Sequence, residues 1–300
     1  MNVLKRSGRF LIPRSVRNWL RSPTRAARWM WNELQFGFGI KKIIEMRPGW
    51  FLVHHPSAYR LAYASQQNDP DQIVEFDGFI SQCRPGMMLF DIGAHFGLFS
   101  LAALHYGGGN SQAIAVDPSP AACRIMRIQA NLNGAVDRLR IVQASAGDRL
   151  GWSDMVDSGI HSASYFVPPA MDHSNSELTR TRSITIDALT EQFETHPTHI
   201  KIDVEGCEED VLRGGKNTLG RSIGPLLFIE LHNRMVAERG GKPEQALVLL
   251  HELGYETFST DGQPIDDPSI LEKPLIRVMA RKKASEIATK KTMRLMLGKP

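Results

Sequence analysis

The chain has 300 residues, of which 42% are hydrophobic, and this predicts one large globular domain with extensions rather than a disordered or fibrous protein. Its three cysteines are too few for a disulfide framework or a thiolate metal site, and no apolar run reaches the ~18 residues of a membrane-spanning helix. We therefore expect a soluble, cytoplasmic protein with reduced thiols and no signal peptide.

The net charge of +4 conceals two basic ends. Residues 1–50 hold eleven Lys or Arg against two Glu, and residues 281–300 hold seven against one Glu. We interpret them as a basic N-terminal arm and a basic C-terminal tail on a domain at 51–280. The arm also carries aromatic residues, so it either packs these on the domain or forms an amphipathic segment for an anionic membrane or nucleic acid. An organelle transit peptide is a third alternative.

Apolar periodicity predicts strands that alternate with helices. In chain order the predicted elements are a strand at 49–53, a helix at 71–83, a strand at 87–91, a helix at 98–106, a strand at 113–117, a helix at 119–133, a strand at 139–144, a helix at 245–253, and strands at 256–259 and 275–280. Such alternation predicts a doubly wound, mostly parallel α/β sheet, which the last two strands complete as an antiparallel hairpin. Residues 146–182 are less regular and predict loops and short antiparallel strands that cover a substrate.

A glycine-rich turn follows the strand at 87–91. Asp91 precedes it, and Gly93 and Gly97 flank Ala94 and His95 within it. Glycines let a ligand approach the backbone, but a dinucleotide fingerprint would need a further glycine at the position of Ala94. The spacing resembles motif I of the S-adenosylmethionine-dependent methyltransferases. All five residues are therefore predicted to bind this cofactor.

The following strand ends in another acid, Asp117. A carboxylate at this point of a βαβ unit accepts hydrogen bonds from the hydroxyl groups of a ribose. Because the carboxyl ends of parallel strands meet at one edge of a sheet, the glycine-rich turn and Asp117 belong to one predicted nucleoside-cofactor site. This pair of motifs indicates an enzyme.

A second polar group follows the strand that begins at His199. Alternation along the chain places Lys201, Asp203 and Glu205 on one side, and buried acids there are costly unless they meet a cation, a metal or a ligand. We predict that Asp203 binds the ammonium group of the methionine moiety, and that Glu205 faces the substrate or caps the next helix. The structural alternative is an acid at a helix N-terminus with Lys201 as its salt-bridge partner.

The strand at 225–232 ends in Glu230 and His232, which share one face because they are two residues apart. Methylation of a hydroxyl releases a proton, and the ordinary pKa of histidine lies near neutrality, so His232 is the predicted general base, with Glu205 as the alternative. A histidine in a purely structural role is the other interpretation. The cluster also offers ligands for a divalent ion, but we expect no metal.

Three segments together resemble the FkbM-type methyltransferase family. They are DIGAHFGLFS at 91–100, IKIDVEGCEEDVLRGG at 200–215 and FIELH at 228–232. The resemblance covers about residues 50–280. It implies a class I methyltransferase fold with a seven-stranded sheet, S-adenosylmethionine as the cofactor, and O-methylation of a sugar, a polyketide or another small metabolite by direct methyl displacement.

By this resemblance Asp91, Gly93 and Gly97 fall on the cofactor loop and Asp117 is the ribose-binding acid. Two positions depart from the family pattern, since Asp117 stands where relatives commonly have Glu, and Gln129 stands where Asn is usual. Three rival functions are an NAD-dependent oxidoreductase, an RNA methyltransferase that uses the basic termini, and a noncatalytic protein of the same fold that binds a partner through its basic arm. The missing middle glycine counts against the oxidoreductase.

Overall fold

A computed structural model describes residues 23–58, 63–156, 165–166, 178–260, 262–265 and 268–283. Residues 1–22 of the basic arm, the centre of the irregular segment at 146–182 and the tail beyond residue 283 lie outside these ranges. Within them, no helix is long and apolar enough to cross a bilayer.

The described elements alternate between strands and helices along most of the chain. The strands are β1 (Lys42–Arg47), β2 (Trp50–His54), β3 (Met88–Ile92), β4 (Gln112–Asp117), β5 (Leu139–Gln143), β6 (Ser145–Ala146), β7 (Gly151–Val156), β8 (Tyr165–Phe166), β9 (Leu178–Ile184), β10 (His199–Ile202), β11 (Leu226–Leu231), β12 (Tyr255–Ser259) and β13 (Ile276–Lys282). The helices are α1 (Pro23–Gly37), α2 (Ser65–Asn68), α3 (Pro70–Gln82), α4 (Leu98–Tyr106), α5 (Pro120–Leu132), α6 (Ile186–Gln192), α7 (Glu208–Arg213), α8 (Lys216–Leu219), α9 (Asn233–Glu238) and α10 (Glu244–Glu252), and a 3-10 helix spans Pro268–Glu272.

The main sheet has seven strands in the order β12-β13-β11-β10-β3-β4-β5. β13 runs antiparallel to both of its neighbours, whereas the other neighbouring pairs are parallel. This confirms the predicted mostly parallel sheet with an antiparallel C-terminal hairpin. After β3 the chain adds β4 and β5 on one side, and it later returns to add β10 and β11 on the other side, so the strand order reverses between β3 and β10. Ligands of open α/β sheets bind beyond the carboxyl ends of the strands at such a reversal.

Apolar residues on both sides of the central strands let helices cover both faces of the sheet. In β3, Leu89 packs into one core with Phe79 of α3 and Ile125 of α5, whereas Phe90 packs into the opposite core with Val211 of α7. This alternation follows from the two-residue period of a strand. Two cores thus hold the sheet rigidly and fix the positions of its polar strand ends.

Local sequence signals start the helix that follows β4. Helix α5 begins at Pro120, and the side chain of Ser119 accepts a hydrogen bond from the Ala122 amide. Serine at the cap and proline in the first turn are favourable because the first amides of a helix lack intrahelical partners. The structure thus agrees closely with the predicted helix at 119–133, and this cap sets the turn after Asp117.

The hairpin of β1 and β2 lies outside the main sheet and is fastened to α5. The side-chain amide of Asn133 donates to the Val53 carbonyl, and its side-chain oxygen accepts from the Val53 amide. Arg124 of α5 also forms an ion pair with Glu33 of α1, with 2.7 Å between nitrogen and oxygen. The boundary that charge alone places at residue 50 therefore falls inside a hairpin that packs on the domain.

A second, four-stranded sheet, in the order β6-β9-β7-β8, occupies the described part of the irregular segment. β7 pairs antiparallel with β8 and β9, and β6 pairs parallel with β9. The short antiparallel strands predicted for 146–182 are thus present. The stretch expected to cover a substrate falls mostly within residues 157–164 and 167–177, outside the described part of the chain.

Candidate active site

The glycine-rich turn between β3 and α4 is tied to the neighbouring strand β4. The amides of Gly93 and Ala94 both donate to the carbonyl of Val116, at 2.8 and 3.0 Å. Gly93 and Gly97 have left-handed backbone conformations, with φ of 80° and 75°. A Cβ at Gly93 would overlap the carbonyl oxygen of Asp203, and one at Gly97 would lie 2.8 Å from Cγ of Met126. The protein's own packing therefore requires these two glycines, in addition to any need for ligand approach.

Asp91 lies beneath this turn rather than on its outer side. Its carboxylate accepts hydrogen bonds from the backbone amide of Ser100, at 3.0 Å, and from the Ser100 hydroxyl, at 2.6 Å. Only 2% of its surface is exposed, and burial raises its pKa. Asp91 thus joins β3 to the first turn of α4, and the structure favours support of the cofactor loop over direct contact with a ligand.

Asp117 joins the two predicted cofactor motifs. One carboxylate oxygen accepts from the backbone amide of His95 at 2.9 Å, and the other accepts from the Ser119 amide at 2.8 Å. His95 has a left-handed φ of 49°, and its ring stacks on Phe96 at 3.8 Å. The predicted proximity of the glycine-rich turn and Asp117 is therefore present, and Asp117 holds an uncommon backbone conformation within the turn.

A buried ion network lies under the ends of β10 and β11. The Lys201 ammonium is 2.9 Å from Glu230 and 3.0 Å from Glu75 of α3, and Asp203 is farther away at 3.9 Å. Arg277 of β13 contacts the same two glutamates, at 2.8 Å for Glu75 and 3.2 Å for Glu230. Two cations thus neutralise two carboxylates in a region where unpaired charge would be very costly.

The charges in this network set its protonation. Burial opposes ionisation of Glu230, but Lys201 and Arg277 outweigh it and lower the pKa of Glu230 to about 2. Burial also opposes the charge of Lys201, yet Glu230 and Glu75 raise the pKa of this ammonium above its usual value. Lys201 is therefore a permanent cation, and its main partners are these glutamates rather than Asp203.

His232 lies among three carboxylates. Its Nδ1 is 2.8 Å from Glu208, and its Nε2 is 3.5 Å from Glu205 and 3.8 Å from Asp203. Burial alone would lower the pKa of His232, but the hydrogen bond and charge of Glu208, followed by Asp203 and Glu205, raise it to about 9. At neutral pH the ring is an imidazolium, which holds a proton instead of accepting one. This differs from the expectation of a neutral histidine base.

Unlike the histidine, the two acids next to it, Asp203 and Glu205, are disfavoured in their charged form. Burial and the charge of Glu230 raise the pKa of Asp203 well above its usual value, and burial raises the pKa of Glu205 although His232 opposes this. Glu205 also has a left-handed φ of 55°, which is uncommon for a residue with a side chain. Carboxyl groups with raised pKa values gain most from a bound cation, because it relieves their mutual repulsion.

These acids and the glycine-rich turn lie together at one edge of the main sheet. The Asp203 amide donates to the carbonyl of Ile92 at 2.9 Å, and its own carbonyl abuts Gly93. The ends of β3, β4, β10 and β11 thus meet, as predicted from their polar tips. The donor set fits S-adenosylmethionine, since Asp117 is suited to ribose hydroxyls and Asp203 is suited to the positive ammonium group.

A divalent ion is a second cation that this arrangement can hold. One ligand atom from each of Asp203, Glu205 and His232 lies within 4.8 Å of the others. Such a set of carboxylates and an imidazole suits Mn²⁺ and similar ions. The His232 imidazolium lies between these acids, so a metal ion bound there would have to displace the proton of the ring.

Sequence reasoning missed three residues that build the site. Glu75 and Arg277 complete the Lys201 network, and Glu208, which also accepts from the Gly206 amide, holds His232. Two of them carry a readable signal, because Glu75 lies among apolar residues of α3 and Arg277 among apolar residues of β13. A charge inside an apolar run indicates a buried partner.

The family model described as Methyltransferase FkbM domain matches residues 91–257, which is more than half of the chain. A ribosomal protein L11 methyltransferase of Pelotomaculum thermopropionicum is 33% identical over 78 residues, which cover 26% of this chain and a quarter of that relative's length.

Solved structures with related folds include a ribosomal protein L11 methylase from Lactobacillus delbrueckii subsp. bulgaricus, with TM-score 0.45 and 12% identity over 80% of this chain and 99% of that one. A putative rRNA-methylase from Clostridium thermocellum has TM-score 0.45 and 10% identity over 71% and 96%. At these identities the likeness concerns the fold alone. From the match over 91–257, the chain belongs to the FkbM methyltransferase family.

Proposed function

We propose that the protein methylates a hydroxyl group of a sugar, a polyketide or another small metabolite. The observation that carries this proposal is the cluster of Asp203, Glu205 and His232 beside the glycine-rich turn. It combines acids suited to a cationic cofactor with a group that is able to take a proton. Transfer of a methyl group to a hydroxyl requires both a bound cofactor and removal of the hydroxyl proton. The FkbM family membership supports the same reaction type.

The cofactor-binding roles follow from position. The turn from Gly93 to Gly97, with Ala94 and His95, supports the adenosyl part, and Asp117 binds the ribose hydroxyls. Asp203 binds the ammonium group of the methionine part. Asp91 acts from beneath by holding the turn to α4 through Ser100. When bound, S-adenosylmethionine supplies an electrophilic methyl group.

Proton removal from the acceptor is assigned to Glu205, with His232 as its positioning partner. The raised pKa of Glu205 makes it a stronger base than an ordinary glutamate, whereas His232 already carries a proton at neutral pH. The imidazolium lies 3.5 Å from Glu205, where it stabilises the ionised form of this acid and holds it in place. His232 becomes the base only at pH values above about 9.

A nucleic-acid acceptor is the second candidate. Trp152 on β7 is exposed, and the guanidinium groups of Arg180 and Arg182 on β9 lie 5.3 and 5.8 Å from its ring. An aromatic ring with two cations suits a stacked base and its phosphates. The basic ends of the chain favour the same partner. This acceptor would place the protein with RNA methyltransferases instead of metabolite enzymes.

Methyl-labelled S-adenosylmethionine and fractionated extract of the source cells test these candidates together. We expect the label in a small metabolite, where it forms part of a new methyl ether. Label in RNA or in a ribosomal protein would overturn the metabolite proposal and support a macromolecular acceptor. Cofactor binding by calorimetry without transfer to any fraction would indicate a noncatalytic binding protein, and a Glu205→Gln variant with unchanged turnover would remove the assigned base.

A further inference from the structure

Helix α1 exposes an apolar stripe on the side that faces away from the domain. Met30, Leu34 and Phe38 follow one another at intervals of four residues, and Trp31 lies three residues before Leu34, so the four share a face of the helix and the turn after it. Trp31 is 58% exposed and Phe38 is 77% exposed. The opposite side of the helix is already used, since Glu33 binds Arg124 of α5. The stripe is therefore additional to the face that docks α1.

The hairpin that follows α1 also exposes apolar side chains, and these lie on one of its two faces. Ile43 of β1 is 69% exposed and Phe51 of β2 is 60% exposed, whereas the alternate residues Trp50 and Leu52 are buried in the core. Seven of the thirteen exposed large apolar side chains of the described chain fall between residues 30 and 51. Soluble monomers rarely concentrate exposed apolar residues in this way. We call Met30, Trp31, Leu34, Phe38, Ile43 and Phe51 the apolar face.

Exposed cations lie close to the apolar face along the chain. They are Arg28, Lys41 and Lys42. The sequence upstream, residues 1–22, adds six Lys or Arg and no Asp or Glu. Apolar side chains that enter a bilayer surface, with cations around them that meet lipid phosphates, are the combination that binds anionic membranes.

The side-chain types decide between lipid and nucleic acid. Aliphatic groups such as Met30, Leu34 and Ile43 gain nothing from phosphates and cannot stack on bases as an aromatic ring does. They gain free energy when they leave water for the acyl boundary of a bilayer. We propose that the apolar face docks the protein on an anionic membrane surface, with Arg28, Lys41 and Lys42 in contact with lipid headgroups. This does not depend on the methyl acceptor.

Vesicle sedimentation with the full chain tests the proposal. The probes are vesicles of phosphatidylcholine and phosphatidylglycerol in about a 2:1 ratio, and vesicles of phosphatidylcholine alone. We expect binding to the anionic vesicles. Binding to the neutral vesicles should be weaker by about tenfold or more, because each cation near an anionic surface adds to the affinity. Absence of binding to the anionic vesicles overturns the proposal.

Two double variants test whether vesicle binding depends on this face or on exposed apolar residues in general. Phe38→Glu with Phe51→Glu should weaken binding to the anionic vesicles by about tenfold or more, since it removes two apolar anchors and adds two like charges. Val136→Glu with Ile223→Glu changes two exposed apolar residues elsewhere and should bind as the wild type does. All four positions are on the surface, so circular dichroism should show unchanged folding. Equal binding by both pairs overturns the proposal.

Light scattering distinguishes a second copy of the chain as the occupant. If the wild type is a dimer and Phe38→Glu with Phe51→Glu is a monomer, while vesicle binding is the same for both, the face is a dimer interface and the membrane proposal is wrong. A duplex RNA probe serves the same purpose, because RNA binding that depends on these two phenylalanines would assign the face to nucleic acid instead.

Discussion

The backbone of Asp203 occupies the space that a side chain at Gly93 would need. The Asp203 carbonyl oxygen overlaps the ideal Cβ position of Gly93, whose φ is 80°. Contact between the ends of β3 and β10 therefore depends on the absence of a side chain at this glycine. The glycine-rich turn and the acidic strand end are thus two halves of one packed unit.

Gly93→Ala should accordingly disrupt both folding and cofactor binding. The new methyl group must displace Asp203, and the left-handed backbone conformation adds strain, so we expect a loss of about 2–4 kcal/mol in the free energy of unfolding. Denaturant titration measures this, and calorimetry with S-adenosylmethionine measures the affinity.

Gly108→Ala is a matched control for this change. Gly108 has φ of 77°, but no atom lies within 4 Å of its ideal Cβ position. It should lose about 1 kcal/mol from backbone strain alone and bind the cofactor normally. If both variants lose the same stability, overlap with Asp203 is not the cause of the effect at Gly93.

The strand ends that carry this site can be predicted from the sequence, whereas the ion pairs between residues far apart in the sequence cannot. Period-two apolar runs mark the strands, so the positions of Asp91 and Asp117 at strand ends follow from neighbouring residues. The ion pair of Arg277 and Glu75 joins residues 202 positions apart, and the order of strands in the sheet is needed to see it. Nothing local to Lys201 identifies these partners.

The protonation of His232 also depends on residues that are distant in the sequence. From the sequence alone, only the ordinary pKa of histidine can be used, and this value favours a neutral base. Three carboxylates converge on the ring only after β10, α7 and β11 pack together, and they move its pKa to about 9. Glu208 lies within the motif read from the sequence, but its spacing alone does not show that it binds the ring at 2.8 Å.

Loss of the buried cation should destabilise the fold strongly. Lys201→Met leaves Glu75 and Glu230 with Arg277 as their remaining charged partner in a region where Lys201 is only 1% exposed. Breaking a buried ion network in this way costs about 3–5 kcal/mol. Thermal and denaturant unfolding measure the loss.

An exposed ion pair provides the comparison. Arg213→Met removes a surface contact with Glu209 on the same helix, which should cost less than about 1 kcal/mol. A small effect for Lys201→Met, similar to that of Arg213→Met, would contradict the view that Lys201 stabilises the fold through this network.

Stability should depend on pH through His232. Its pKa in the folded state, about 9, exceeds the unfolded value of 6.5, so protonation favours folding. The contribution is complete below pH 6.5 and declines as the pH rises through about 9. Relative to His232→Gln, the wild type should lose an advantage on the order of 3 kcal/mol over this range. Denaturant titrations across the pH range, together with NMR of the His232 ring, measure it; a difference between the two proteins that stays constant with pH argues against the raised pKa.

Activity should separate the roles of the clustered groups. Asp203→Asn should weaken cofactor binding by about tenfold, since it removes the charge that meets the ammonium group. His232→Ala and Glu205→Gln should instead reduce kcat by about a hundredfold while the cofactor Kd changes little. Calorimetry and single-turnover rates provide these two readouts. Glu209→Gln, at a half-buried acid of α7 that pairs with Arg213, is the control that should change neither.

The pH profile of kcat identifies which group takes the proton. If Glu205 is the base, kcat is already high near neutral pH, and it falls as the pH rises past about 9 because His232 loses its charge. If His232 is the base, kcat rises toward pH 9 because only the neutral ring accepts a proton. A rising profile would therefore overturn the assignment of Glu205.

Chelation should leave turnover unchanged. Asp203, Glu205 and His232 can gather around one ion, but a metal would have to displace the proton of the His232 ring, whose pKa is raised to about 9. Turnover in excess EDTA should therefore equal turnover in Mg²⁺ or Mn²⁺, and calorimetry with Mn²⁺ should show no binding. If EDTA abolishes activity and Mn²⁺ restores it in the wild type, a metal ion belongs to the site. Its position among these three residues would then require that Asp203→Asn loses Mn²⁺ binding while Glu209→Gln keeps it.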